Sequence, residues 1–514
     1  MKRKLFTGIS ALAILASQAS AVAMAQAEFP IVDETVTMTY FVGKGPQSNI
    51  SDWNADHRFW TKYEDMTNVH IDWNQVANEG IEEQRNLTLV SGDLPDVFYS
   101  AGFPTTDVFR YGQQGVFMPL NDLLEEHAPN LTALMEKYPE VRQAMTFPDG
   151  NIYSLPYIFD KEFVSLRAGA MPWMARAGLE AAGTEMPTTT EEFYETLKGI
   201  KETSAETGIT IPFGAPSMDM ISNYLSGAFG VMNKGGYNGP VDLVEGTDEL
   251  RFYATSDQYK EMLQYMNRLF SEGLIDNNIY STDWNTFLAN RAEELYGGFI
   301  FWGAGIEDAE RHVEAYDSLG MVEGPNGDSQ YVDYSPMVNS LGTFIVTSEN
   351  ETPEIALEWL DYFYSDEGAE MFYMGVEGET YEMVDGIPAY TEEVQTENVV
   401  HYLPWLGNNQ GIIQETTFIG SESMPQTVES ANKLKPHVTA EPWAAFTHTE
   451  EENDFLVSVG ADIEKYVREM QDLFISGEMS FDEWDKYVQT LESMSLEQYL
   501  SIKQAAYDRT LEVN

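Results

Sequence analysis

The sequence predicts an α/β protein of more than one domain that opens as a doubly wound sheet. Three observations predict it. The first hundred residues alternate β-branched strands and amphipathic helices in the order β-loop-α-β-α-β. Later segments keep switching between helical and strand periodicity. The roughly 490 residues that follow an N-terminal leader exceed the usual size of a single core.

The leader comes first. Lys2, Arg3 and Lys4 precede LFTGISALAILASQASAVAMA, a short run of small and apolar residues. Ala23-Met24-Ala25 and Ala25-Gln26-Ala27 have the small-x-small form of a signal-peptidase site, so residues 1–27 read as a secretory signal cleaved after Ala25 or Ala27. Ser17, Gln18 and Ser20 interrupt the run before the ~20 apolar residues that a membrane span needs. The chain holds no cysteine, which excludes disulfides, zinc-thiolate sites, thiol catalysis and lipid attachment through an N-terminal cysteine. An exported protein without a lipid anchor is expected, retained by a periplasm.

VTMTYFVG, ending at Gly43, reads as the first strand, and GKGPQSNISDWN as a loop. HRFWTKYEDMT is helical, VHIDWNQV is a strand, and EEQRNLTLVSG is a helix stopping at Gly92. In SGDLPDVFYS, Pro95 and the aspartates make a turn, with Asp96 as its cap or orienter. The strand that follows delivers Tyr99 and Ser100 to a carboxyl end, where open α/β sheets bind ligands. PTTTEEFYETLKGIKE, with Thr188 and Thr189 as cap candidates, SDQYKEMLQYMNRLFSEG, ending at Gly273, and TPEIALEWLDYFYSDEG, with Thr352 as cap and Pro353 at the first position, are amphipathic helices. LYGGFIFWG (295–303) and GTFIVTS (342–348) read as strands, and the chain from Asp454 onward as helices.

The formal net charge is −56, from 28 Lys+Arg against 84 Asp+Glu. Such a field repels phosphate backbones and argues against nucleic acid as a partner. It suits a salty medium in which self-repulsion is screened. With 84 acidic residues, carboxylate pairs at catalytic separations are inevitable and say nothing about glycoside hydrolysis. The seven histidines are scattered, HExxH and GxSxG are absent, and GAGIED (303–308) lacks the third glycine of a dinucleotide fingerprint. An exported polysaccharide hydrolase or lyase stays open as the enzyme alternative.

The order of segments resembles a known family. SGDLPDVF (91–98), GVFMPLNDLLEEHAPNL (115–131) and DGNIYSLP (149–156) are similar to a helix-turn-strand element, a "G…PL.DLI…APN" stretch and a "DG.IY.LP" crossover. These belong to the extracellular solute-binding proteins of ABC importers, family 1, in the branch that binds oligosaccharides. EGLIDNNIYSTDW, GVEGETYEMVDG and the FISGEMSFDEW block extend the resemblance over nearly all of the mature chain. Two features depart from it. The chain has no lipid-anchoring cysteine, and TSAETGITIPFG replaces the acidic calcium loop that many relatives carry, so no metal or other cofactor is expected.

The resemblance implies a two-lobed periplasmic-binding-protein-like (type II) fold, each lobe a sheet flanked by helices, with a helical C-terminal region. It divides the chain into residues 28–158 with 318–378 and residues 159–317 with 379–514. It implies a monomeric receptor that closes over an oligosaccharide and hands it to a membrane permease; a peptide or other non-sugar solute is the alternative ligand. By family position and residue chemistry, the expected contacts are Asn49, Asp52, Trp53, Tyr99, Ser100, Arg167, Trp302, Trp405 and Asn408. Trp53 reads equally as a buried anchor, and Arg167 equally as a salt-bridge partner. Trp173 reads as a helical core position, and Trp359 and Trp484 as helix packing. Trp302, ending a strand before small residues, is the strongest candidate for stacking on a sugar face.

Overall fold

A computed structural model of the protein describes residues 29–44, 52–304, 314–384, 386–397, 402–404, 408–438 and 440–513. Its strands, in chain order, are β1 (Val36–Lys44), β2 (Val69–Ala77), β3 (Val97–Tyr99), β4 (Leu155–Phe159), β5 (Met171–Ala175), β6 (Val241–Leu243) and β7 (Leu250–Phe252). They continue with β8 (Gly298–Phe301), β9 (Tyr316–Ser318), β10 (Val338–Val346), β11 (Tyr381–Val384), β12 (Ile387–Tyr390) and β13 (Ile412–Ile413).

Six of these strands form the main sheet, in the order β13-β4-β10-β3-β1-β2. β1 runs parallel to both neighbours, from Val36 opposite Val69 to Lys44 opposite Ala77 on one side and from Tyr40 opposite Val97 on the other. Met38, Tyr40, Phe41 and Val42 are all buried, as expected of a strand covered on both faces. The doubly wound opening read from the sequence is present. β10 then enters antiparallel to both β3 and β4, with register shifts between Val338 and Ser340 and between Ser340 and Phe344. Helix packing closes this unit. Asp361, buried at the end of helix Pro353–Asp361, accepts hydrogen bonds from the backbone N–H groups of Asn130 (3.0 Å) and Leu131 (2.9 Å) and from Asn130 Nδ2 (2.9 Å). A carboxylate thereby caps the helix Pro129–Lys137 at its positive end.

The second unit is built around the antiparallel sheet β8-β5-β9 and is dominated by helices. Helices Ala461–Ser476, Trp484–Ser493 and Leu496–Glu512 seal it, through residues such as Phe474, Tyr487 and Tyr499. Trp173 is buried here, on β5 rather than on a helix, and its indole N–H donates to the Phe301 carbonyl at 3.0 Å. Arg167 ends a short helix, Val164–Arg167.

Buried apolar residues fall into two large clusters. One spans Met38–Phe163, Met337–Tyr373 and Ile412–Phe418; the other spans Val164–Tyr334 and Ala431–Tyr507. The chain passes between them at three places, near 163, 335 and 418–431. The expected first boundary, at 158, lies close to the first passage. The other two differ from the packing. Residues 319–334 join the second cluster, because Leu319 N–H bonds to Pro172 and the Tyr331 hydroxyl bonds to the Ala168 and Ala170 carbonyls. Residues 412–418 join the first, because β13 pairs with β4.

Candidate functional site

The quoted turn works mechanically. Asp96 Oδ2 accepts from the Thr39 N–H (2.7 Å) and from its hydroxyl (2.9 Å), while Thr39 Oγ1 accepts from the Asp96 N–H (3.0 Å). The Thr347 hydroxyl donates to the Pro95 carbonyl at 2.6 Å. Asp96 and Pro95 thus set the register of β3 between β1 and β10, and the loop Ser100–Phe103 leaves the sheet at its carboxyl edge. Ser100 is held in left-handed backbone at φ 47°, and its N–H donates to the Thr343 carbonyl at 2.7 Å. Gln410 Nε2 joins the same carbonyl (3.1 Å) to Ser100 Oγ (3.2 Å). Gly43 lies so close beneath that a Cβ would stand 2.5 Å from the Ser100 carbonyl oxygen.

Against this loop the irregular start of β10 bends away, with Gly342 at φ 81°. Between them is a concavity of about 260 Å³, lined by Ser100, Gly102, Phe103, Tyr157, Ser340–Thr343 and Asn409. A second one, of about 170 Å³, shares Phe103, Ser340 and Leu341 and reaches Pro104, Thr105, Ala144 and the C-terminal segment at Ala444 and Ala445. None of the residues lining either is charged, although 22% of the chain is. The surface offers hydroxyls, an amide, backbone and rings. Burial, with nearby Tyr237 adding to it, pushes the Tyr157 hydroxyl up to about 12. Tyr237 comes from the second unit, is 40% exposed, and shares a 3.1 Å hydrogen bond with Ser335 Oγ on the second passage between units.

Trp302 does not line these concavities. It stands half-buried just past β8, beside Phe301 (5.1 Å between centroids) and Trp284 (6.0 Å), itself 49% exposed. β8 ends opposite Met171, soon after the chain enters the second unit, so this aromatic group occupies the edge nearest the first passage. Trp302 is partly buried and packs against the second core.

The other expected contacts divide clearly. Ser100 is at the groove. Asp52 is exposed, and its carboxylate caps the helix Trp53–Asp56 by accepting from Asn54 N–H at 2.9 Å. That cap turns Trp53 inward, and it is buried among Trp60, Trp73 and His57: an anchor, not a stacking surface. Tyr99 is also buried, because strand alternation points it into the cluster of Tyr40, Trp60, Trp73 and Trp359 rather than to the groove. Arg167 is 1% exposed. Its Nε donates to the Ser335 carbonyl (2.9 Å), its Nη2 pairs with Glu441, and its guanidinium lies 4.5 Å from the Tyr334 ring centroid. It ties two passages between the units together and offers nothing to a ligand. Asn408 is buried, and its neighbour Asn409 faces the groove instead. Asn49 and Trp405 lie outside the described residues.

Sequence reasoning missed Tyr157, Tyr237, Ser340 and Asn409. Tyr237 had a readable signal, an aromatic inside the turn GGYNG. Among the described residues, no group of three or more His, Asp or Glu side chains could hold a metal ion, and no helix is long and apolar enough to cross a membrane.

Comparison with known proteins decides the family. Residues 53–370 match the family described as bacterial extracellular solute-binding protein. The chain belongs to that family. This solute-binding protein is 28% identical over 477 residues to the fructooligosaccharide ABC transporter substrate-binding protein FusA of Streptococcus pneumoniae, covering 87% of this chain and 86% of FusA. It is 24% identical over 469 residues to lipoprotein LipO of Bacillus subtilis, with 82% of each covered. Among solved structures, FusA in complex with kestose superposes with a TM-score of 0.71 at 25% identity, covering 93% of this chain and all of that one. The alginate-binding protein AlgQ2 without calcium gives a TM-score of 0.70 at 22% identity, covering 93% and 99%. The fold is therefore the two-lobed type II fold of these exported binding proteins.

Proposed function

We propose that this protein is the substrate-binding receptor of an ABC importer, capturing an oligosaccharide between its two packed units and delivering it to a membrane permease. The observation that carries this reading is the charge-free groove at the carboxyl edge of β3, offering hydroxyls, an amide and aromatic rings, in a chain that aligns over most of its length with FusA. Hydroxyl and amide groups suit sugar hydroxyls, and rings suit sugar C–H faces. The passages near 163, 335 and 418–431 make a hinge, so closure is a shift toward the state in which both units touch the ligand. Ser100, Tyr157, Tyr237, Ser340, Asn409 and Trp302 are the contacts in this reading. The protein works as a monomer, without metal, and turns nothing over. With no cysteine to carry a lipid, it is free in the periplasm once residues 1–27 are removed.

A thermal-shift screen of the mature protein against neutral and acidic oligosaccharides, kestose included, tests this. A ligand that binds only the folded state adds about 2.7 kcal/mol of stability at a hundredfold excess over its dissociation constant. The expected result is a shift from at least one sugar, recovered unchanged. Shortened or unsaturated sugar would make the protein an enzyme, and shifts from peptides alone would reject the sugar.

A further inference from the structure

The part of the loop after Ser100 is held from behind by a buried side chain. Arg85, on helix Ile81–Ser91, is 3% exposed and belongs to neither concavity. Its Nη1 donates to the carbonyls of Ala101 (3.0 Å) and Gly102, and its guanidinium lies 4.7 Å from the Phe103 ring centroid. No carboxylate pairs with it among the described residues. A trans peptide directs its C=O and N–H in opposite senses. With the carbonyls of Ala101 and Gly102 drawn inward to Arg85, the N–H groups of Gly102 and Phe103 point away from it, and both residues line the groove. Neither N–H has an acceptor among the described residues. Backbone donors at the edge of a protein interior rarely stay unpaired, so these two require water or a ligand oxygen.

We propose that Arg85 is a positioning residue of the binding site. It fixes the Ala101–Gly102–Phe103 peptides so that two adjacent N–H groups donate to oxygens of the bound oligosaccharide. The inference rests on the oligosaccharide reading above. The guanidinium behind the loop polarises the peptides in the sense that strengthens the donors. No carboxylate lines the groove to compete for hydroxyl hydrogens, so this face selects ligands by acceptor oxygens: ring, glycosidic and hydroxyl. The neighbouring helix Thr105–Gln113 has no side-chain cap, but Asp107 in its first turn, paired with Arg110 at 2.7 Å, already supplies its negative charge.

Two measurements on the mature protein test this, using the sugar that gives the largest thermal shift in the panel. In hydrogen exchange read by mass spectrometry, the stretch 101–104 reports only the amides of Ala101, Gly102 and Phe103, because Pro104 has none. The sugar is expected to slow exchange there by at least about tenfold, the effect of one gained hydrogen bond at the strong end of its range. In titrations, Arg85→Gln is expected to weaken binding about tenfold or more, whereas Arg85→Lys, which keeps the charge but loses the planar fork and the stacking on Phe103, weakens it less than Arg85→Gln does. Binding without protection of these amides overturns the inference and leaves the receptor standing. So does an Arg85→Gln variant that binds like the parent. If no sugar in the panel binds, the oligosaccharide reading falls and takes this inference with it. The exchange measurement on the unmutated protein decides even if Arg85→Gln does not fold.

Discussion

The floor of the groove and the aromatic group beyond β8 are two surfaces built by different means. The floor belongs to the first unit and is made of backbone: a left-handed serine, an irregular strand start, two glycines at positive φ and a guanidinium behind. The aromatic group belongs to the second unit and is made of side chains: Trp284, Phe301 and Trp302, none of them fixed by a strained backbone. The contrast teaches where change is tolerated. A backbone surface cannot be edited without disturbing the sheet that forms it, whereas a ring at a strand end can be exchanged almost alone.

The most disruptive way to break the comparison is to fill the floor. Gly43→Ala places a Cβ 2.5 Å from the Ser100 carbonyl oxygen, a backbone atom that cannot swing aside. It should cost about 3 kcal/mol in a urea melt and abolish the sugar-induced shift together with it. Trp302→Ala should do the opposite, leaving the melt within about 1 kcal/mol but weakening sugar binding by about 2 kcal/mol in calorimetry. Equal losses in both measurements would erase the distinction between the two surfaces.

Acid sharpens the comparison differently. No charged side chain lines the groove, so sugar affinity should stay flat between about pH 6 and 9, where the tyrosine hydroxyls remain protonated. Global stability should not. Burial, with Lys503 and Arg509 adding repulsion and Glu452 opposing them, pushes His448 down to about 3. The folded protein therefore keeps His448 neutral while the unfolded chain takes up a proton below pH 6.5, so the contribution of His448 to stability falls as pH drops through that value. Taken as the difference in stability between the parent and a His448→Gln variant, that loss should reach about 1.4 kcal/mol at pH 5.5 in denaturant titrations, whereas Asp333, Asp361 and Asp472, each raised by burial to about 6, act in the opposite sense in both proteins. The smallest effect is expected from Tyr237→Phe, which removes only the hydroxyl bonded to Ser335. Affinity should fall by a few fold, about 0.5–1 kcal/mol, with the ring still in place.

The helices were the most legible part of the sequence, because their caps are local. Thr189 accepts from Glu192 N–H, as the cap pattern of its segment indicates, whereas Thr352, read as a cap in the same way, makes no side-chain cap bond to helix Pro353–Asp361. The doubly wound opening was legible for a similar reason, since β1, β2 and β3 are consecutive hydrophobic runs. The strand before Trp302 was legible because LYGGFIFWG is a short apolar run, and β8 spans Gly298–Phe301. Trp53, Tyr99 and Arg167 were not, because each is decided by a distant partner: β2 for Trp53, the facing helix at Trp359 for Tyr99, and Glu441 for Arg167. Arg85 looked like one more polar residue on an amphipathic helix. Its meaning depends on carbonyls sixteen and seventeen residues away, whose direction no periodicity encodes.

The three passages of the chain between its two cores have a consequence for how the molecule is made. The central strand β10 and the edge strand β13 reach the first sheet only after most of the second unit has been synthesised, and the second core waits for the helices after residue 460. Neither half can finish folding while the chain is still emerging from a ribosome, although domains ordinarily fold in order from the N-terminus. Such a late-closing topology leaves a long interval in which the polypeptide stays open and threadable, the condition under which it can be carried through a membrane before it becomes a compact receptor on the other side.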